Sequence, residues 1–162
     1  MKYFILITFL TVSIYSQKDS IKNKDEFKSE FSFGVGLTTS SGYDPSFAYG
    51  ADLSHHFGLG YFGSIGINLF TNLVRGDEIV LADLQVRKSF NVENKTLITF
   101  GAGCYLGAAS KGHGGFGGGL IFSGKLSYIV HEIFTVGIET KFPFDLYRNL
   151  TLITKLVLGI RL

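Results

Sequence analysis

The sequence predicts an all-β protein: an eight-stranded, antiparallel, up-and-down barrel that crosses a membrane. Three observations carry that reading. From Phe31 to Leu162, apolar and polar side chains alternate in runs broken by turn residues. A strand sends successive side chains to opposite faces, so each run has one apolar side and one polar side. The polar side is largely Gly, Ser, Thr and Ala with scattered charges of both signs, whereas a solvated outer face would be rich in Lys, Glu, Asp and Arg. Charged residues make up only 17% of the 162-residue chain, against about 25% in ordinary soluble domains. The 21 glycines, 16 Phe and 8 Tyr suit strands joined by tight turns.

The first strand sets Phe31, Phe33, Val35 and Leu37 against Ser32, Gly34, Gly36 and Thr38. Residues 40–46, with Gly42, Asp44 and Pro45, read as a loop. The second strand sets Phe47, Tyr49, Ala51, Leu53, His55 and Phe57 against Ala48, Gly50, Asp52, Ser54 and His56. A turn near Gly58 leads to a third strand, residues 59–70, which is apolar on both faces and leaves its phase open. Residues 72–77 form the next loop, followed by Val80, Ala82, Leu84 and Val86 opposed to Asp83, Gln85 and Arg87.

A polar turn at 91–95 precedes a glycine-rich fifth strand, with Ile98, Phe100, Ala102, Cys104 and Leu106 on its apolar side. A loop at 110–114 leads to Phe116, Leu120, Phe122, Leu126 and Tyr128, opposed to Gly117, Gly119, Ser123, Lys125 and Ser127. A turn at 130–132 precedes Phe134, Val136 and Ile138, opposed to Thr135, Gly137, Glu139 and Lys141. Residues 143–148 are the last loop. The final strand carries Leu152, Leu156, Leu158, Ile160 and Leu162 on one side and Thr151, Lys155, Gly159 and Arg161 on the other.

Eight strands fit the length, because a tilted spanning strand needs about 9–11 residues and ten strands would leave too little chain for turns. Tyr43, Tyr49, Tyr61, Tyr105, Tyr128 and Tyr147 fall near strand ends, where an interfacial girdle belongs.

Ahead of the barrel, residues 1–16 read as a signal peptide: Lys2, then an apolar stretch to Tyr15, then Ser16 at a cleavage point before Gln17. The stretch is short for a spanning helix, which needs about 20 apolar residues. Residues 17–30 are polar and aperiodic and read as a spacer, leaving 31–162 for the barrel.

The polar face supplies the candidate site. Asp52, Asp83, Arg87, Lys125, Glu139, Lys141, Lys155 and Arg161 all fall on the expected lumen side. Enclosed charges must be paired and hydrogen-bonded, so Asp52, Asp83 and Glu139 are expected to pair with Lys155, Lys125 and Arg87. The bore of an eight-stranded barrel holds side chains rather than a wide channel, which makes this network a structural filling.

Other chemistry is poorly supported. Residues 112–117 match G-x-G-x-x-G, but a strand follows where phosphate binding requires a helix. His55 and His56 are adjacent on a strand and face opposite ways, so no metal site is expected. Cys104 is the single cysteine, which excludes an intrachain disulfide. Lys and Arg form no stripe, so no nucleic-acid partner is expected. No cofactor is implied.

Laid out this way, residues 31–162 resemble the small eight-stranded outer-membrane β-barrel proteins of Gram-negative bacteria, and the Ser16-Gln17 region resembles cleavage sites of Bacteroidota secreted proteins. The terminal Gly159, Ile160, Arg161 and Leu162 resemble the C-terminal signal read by the barrel-assembly machinery, although many such barrels end in Phe. The resemblance implies outer-membrane lipid and that machinery as partners, an even strand count with both barrel termini in the periplasm, and loops one, three, five and seven outside the cell. A surface partner is not specified.

The family includes adhesins, envelope-stabilising proteins and rare enzymes, so the expected role is non-enzymatic: structural, adhesive or surface-interacting. Two other classes remain open. A lipid-modifying enzyme would need a His/Ser/acid cluster at the outer rim; the His-x-Ser pair of lipid A deacylases is missing, though His113 and Ser110 could form part of a transferase-like set. A secreted soluble barrel binding a small apolar ligand would turn its apolar face inward.

Overall fold

A computed structural model describes residues 29–40, 43–71, 78–93, 95–109, 116–144 and 151–162. The expected signal peptide lies outside them, as do most of the spacer and the Ser110 and His113 positions. The described residues form eight strands: β1 (Ser29–Ser40), β2 (Tyr43–Gly58), β3 (Tyr61–Thr71), β4 (Glu78–Glu93), β5 (Thr96–Ala109), β6 (Phe116–His131), β7 (Phe134–Phe144) and β8 (Thr151–Arg161). Each strand pairs antiparallel with its sequence neighbours, and β8 closes on β1 to complete the barrel. Closure runs to the last residue, with Ser29 and Leu162 exchanging backbone hydrogen bonds of 3.2 and 2.8 Å.

One end of the barrel is made of short turns. Between β2 and β3, Leu59 and Gly60 both have positive φ, 55° and 73°. That is the backbone of a primed two-residue hairpin turn, whose twist matches the strands it joins. The β6–β7 connection is equally short, at 132–133. The other end carries the segments 41–42, 72–77, 110–115 and 145–150.

Several strand ends differ from the sequence expectation. Ser29 and Glu30 belong to β1 rather than to the spacer, because they continue its alternation, with Glu30 turned inward. Tyr43–Ser46 belong to β2, Pro143 and Phe144 to β7, and β6 runs on to His131. Turn-forming composition misleads there: a proline is tolerated where a ladder ends. The β7–β8 ladder stops at Lys141–Ile153, two residues before Pro143.

The wall is apolar outside and polar inside. Phe33, Leu53, Ile65, Leu84, Phe122, Leu126 and Leu158 are each half or nearly half exposed on the outer face. The largest sealed side chains include Lys141, Lys155, Gln85, Glu139 and Asn68. The open phase of β3 is settled by register: Ile65, Ile67 and Leu69 point out, while Phe62, Ser64, Asn68 and Phe70 point in.

Candidate functional site: the barrel lumen

Alternation brings side chains from all eight strands to the bore, which is layered. Toward the loop end, Ala48, Phe70, Leu81, Ile121 and Ile153 form a buried apolar cluster with Tyr105 packed against it. Tyr105 therefore lies inside rather than in an outer girdle. The odd-numbered positions of β5 face inward, and its ring occupies space beside Gly119, where an added Cβ would lie 3.1 Å from the ring. An ion crossing this layer would have to shed its water among apolar side chains.

The middle layer is a closed ionic network. Asp52, Asp83 and Glu139 stand against Arg87, Lys141 and Lys155, three charges of each sign. Lys141 Nζ donates to Asp52 at 2.5 Å and to Asp83 at 2.8 Å. Arg87 spans Asp52 at 3.1 Å and Glu139 at 3.0 Å. Lys155 contacts Glu139 at 3.1 Å and donates to Asn68 Oδ1 at 2.6 Å. Asn68 and Gln85 then donate to the two oxygens of Asp83, at 2.9 and 2.6 Å. Pairing of this kind is what permits ions to be enclosed.

Glycines on the inner face make room for this network. A Cβ at Gly66 would lie 2.8 Å from both Asp83 Oδ2 and Lys141 Nζ, and one at Gly50 would lie 2.5 Å from Asn68 Oδ1 and Lys155 Nζ. Long charged side chains fit a narrow bore only where the opposite wall has none of its own.

Toward the turn end, Lys125 pairs with Glu30 at 2.5 Å. The expected carboxylates for Lys125 are Asp52, Asp83 and Glu139; Glu139 is its cross-strand neighbour in the β6–β7 register but is engaged by Arg87 and Lys155, and Lys125 pairs with Glu30 instead. Glu30 escaped notice because it closes a charged run that reads as solvated spacer. Arg161 stays at the rim, half-buried. Gly159 faces the lumen beside Thr135 and Glu30, while Ile160 points outward, paired with Phe31 and Phe134.

Asn68 and Gln85 are network members that charge-based reading missed; their only sequence signal is a polar residue on an inward position.

Among the described residues the histidines do not gather. His56 points inward against Phe62, with ring centroids 4.8 Å apart, and His131 is exposed at the turn end. His55 Nδ1 lies 3.0 Å from Ser29 Oγ on the outer face, a pair invisible to a search for local His-x-Ser spacing because it forms across two strands. Among the described residues no group of His, Cys, Asp and Glu is arranged to hold a metal ion.

An apolar exterior, a sealed polar bore and eight meandering strands define the class of small membrane-spanning β-barrels. The chain is similar in structure to the attachment invasion locus protein Ail of Yersinia pestis, with a TM-score of 0.61 at 14% identity over 85% of this chain and 100% of Ail. It is also similar to Neisserial surface protein A, with a TM-score of 0.63 at 11% identity over 84% of this chain and 97% of the other. The N-terminal barrel domain of Pseudomonas aeruginosa OprF gives a TM-score of 0.62 at 11% identity, covering 85% of this chain and all of that domain. No family model matches the sequence, and no curated protein sequence matches it. At these identities the likeness concerns the fold.

Proposed function

We propose that this chain is an integral outer-membrane barrel with a structural, adhesive or surface-interaction role and no catalysis of its own. The observation that carries the proposal is the inverted distribution of side chains. Lys141 and Asp83 are sealed in the bore, while Phe, Leu, Ile and Val cover the exterior. A soluble carrier barrel needs the opposite arrangement. Ail and the Neisserial protein, by their names an attachment invasion protein and a surface protein, support a role at the cell surface.

In this reading the short turns and both barrel termini lie in the periplasm and the longer segments face outward. Outer-membrane lipid surrounds the wall, and the barrel-assembly machinery reads Gly159, Ile160 and Leu162 during insertion. The apolar and ionic layers block conduction, so the loops carry whatever interaction the protein makes. The Ser29–His55 contact does not favour an enzyme: among the described residues no carboxylate hydrogen-bonds the other histidine nitrogen, as a catalytic dyad would need.

The test is fractionation followed by electrophoresis with and without boiling, then planar-bilayer recording of the refolded protein. The proposal expects an outer-membrane, heat-modifiable band and no discrete conductance steps. A soluble band without a mobility shift would overturn the membrane assignment, and steady conductance would overturn the closed bore.

A further inference from the structure

We propose that Lys88, resting on the ring of Tyr61, binds the phosphate of an anionic phospholipid in the periplasmic leaflet. The assignment rests on the outer-membrane reading, in which the turn end of the barrel faces the periplasm.

The first observation is where the cations stand. Among the described strand residues, Arg87, Lys125, Lys141 and Lys155 are buried in the bore and Arg161 stands at its rim. Lys88 alone points outward, following the alternation that buries Arg87 and exposes Val86. A lysine on the lipid face is costly at the bilayer midplane and tolerated near an interface.

The second observation is height. Glu78 and Lys88 lie on the same face of β4, separated on that face by Val80, Ala82, Leu84 and Val86. The stretch from 78 to 88, at about 3.3 Å per residue on a strand tilted about 40°, spans about 25 Å along the barrel axis, the height of a lipid-facing apolar band. Glu78 adjoins the loop end, so Lys88 lies level with the headgroups at the turn end.

The third observation is that Lys88 is held in place without a counter-charge. Its Nζ lies 3.9 Å from the centre of the Tyr61 ring and donates to the Leu59 carbonyl oxygen at the β2–β3 turn. These contacts position the ammonium, and among the described residues no carboxylate pairs with it. An ammonium has three N–H donors, and the Tyr61 hydroxyl is a further donor on the same ring. On the other side, Phe100 is the cross-strand neighbour of Lys88, with Phe90 edge-on to it at 6.2 Å. Donors beside apolar surface suit a phosphate joined to acyl chains. With no carboxylate to receive the ammonium of a zwitterionic headgroup, the seat favours phosphatidylglycerol over phosphatidylcholine.

The experiment is native mass spectrometry of the folded protein released from micelles holding equal amounts of those two lipids. One retained phosphatidylglycerol is expected, preferred about fivefold, the worth of one lysine at an anionic membrane surface. Lys88→Met and Lys88→Gln should each abolish the preference. Lys95→Met, which removes an exposed cation from the β4–β5 turn, should leave it unchanged.

Equal retention of the two lipids, a preference that survives Lys88→Met, or one lost as fully with Lys95→Met would each overturn the assignment. Excess glycerol phosphate, the soluble headgroup, should not displace the lipid; displacement would mark a site for free phosphate esters and overturn the lipid. Heat-modifiable mobility in the same samples distinguishes failure of this assignment from failure of the membrane reading.

Discussion

Lys141 Nζ and Asp83 Oδ2 lie 2.8 Å apart in the middle of the bore, both side chains sealed from solvent. Lys141 is on β7 and Asp83 on β4, so the contact ties opposite walls of the barrel together. The same ammonium group reaches Asp52 on β2 at 2.5 Å. Replacing Lys141 by Met leaves two enclosed carboxylates short of a cation. Breaking a buried pair in this way costs about 3–5 kcal/mol. Urea titration of the folded barrel should show the midpoint falling accordingly, with Asp83→Asn milder because it removes a charge but keeps hydrogen-bonding atoms.

The space for this cluster depends on Gly66. A valine there would press on Asp52, Asp83 and Lys141 at once. Overpacking of this kind costs about 1–3 kcal/mol, and here it also displaces ions from their partners. Gly66→Val should reduce the yield of the compact, fast-migrating form on unboiled gels, whereas Gly124→Val, whose Cβ would meet open space, should leave it unchanged.

The outer face separates a membrane barrel from a soluble one. Ile65 is 61% exposed in the middle of β3. In lipid, Ile65→Arg should cost about 2–4 kcal/mol. In water the same change at an exposed site would stay within about 0.5 kcal/mol. Unfolding free energies measured in lipid vesicles distinguish the two.

At the β2–β3 turn, Leu59 holds a left-handed conformation, φ 55°, that suits glycine far better. Its side chain is exposed and packs little. Lys88 Nζ donates to its backbone oxygen, a contact that a substitution retains. Leu59→Gly should stabilise the barrel by about 0.5–1 kcal/mol once the extra freedom of glycine in the unfolded chain is subtracted. Equilibrium unfolding of the two proteins side by side gives the sign.

Much of the wall is legible from sequence. Phe31, Phe33, Val35 and Leu37 point outward because a period of two leaves no other arrangement once one face must meet lipid. The same rule puts Asp52, Asp83, Arg87, Lys125, Glu139, Lys141 and Lys155 on inward positions. It falls silent for β3, where both faces are apolar and only pairing with β2 and β4 sets the phase. It misjudges Pro45 and Pro143, which read as loop and are strand, because proline is excluded only where a ladder requires its missing N–H.

The strand count, the closed all-β architecture and the side of the wall on which the charges within the recognised strands stand are therefore legible in the chain alone. These follow from local periodicity and from the need to pair every backbone group in lipid. Tertiary structure alone decided which charges meet. Glu30 and Lys125 are 95 residues apart and touch only because strand tilt and stagger bring them level across the bore. The same stagger collects Phe70, Leu81, Ile121 and Ile153 into one apolar layer from four different strands. Alternation fixes a side chain's direction, but its height along the barrel depends on register and closure, which no single strand encodes.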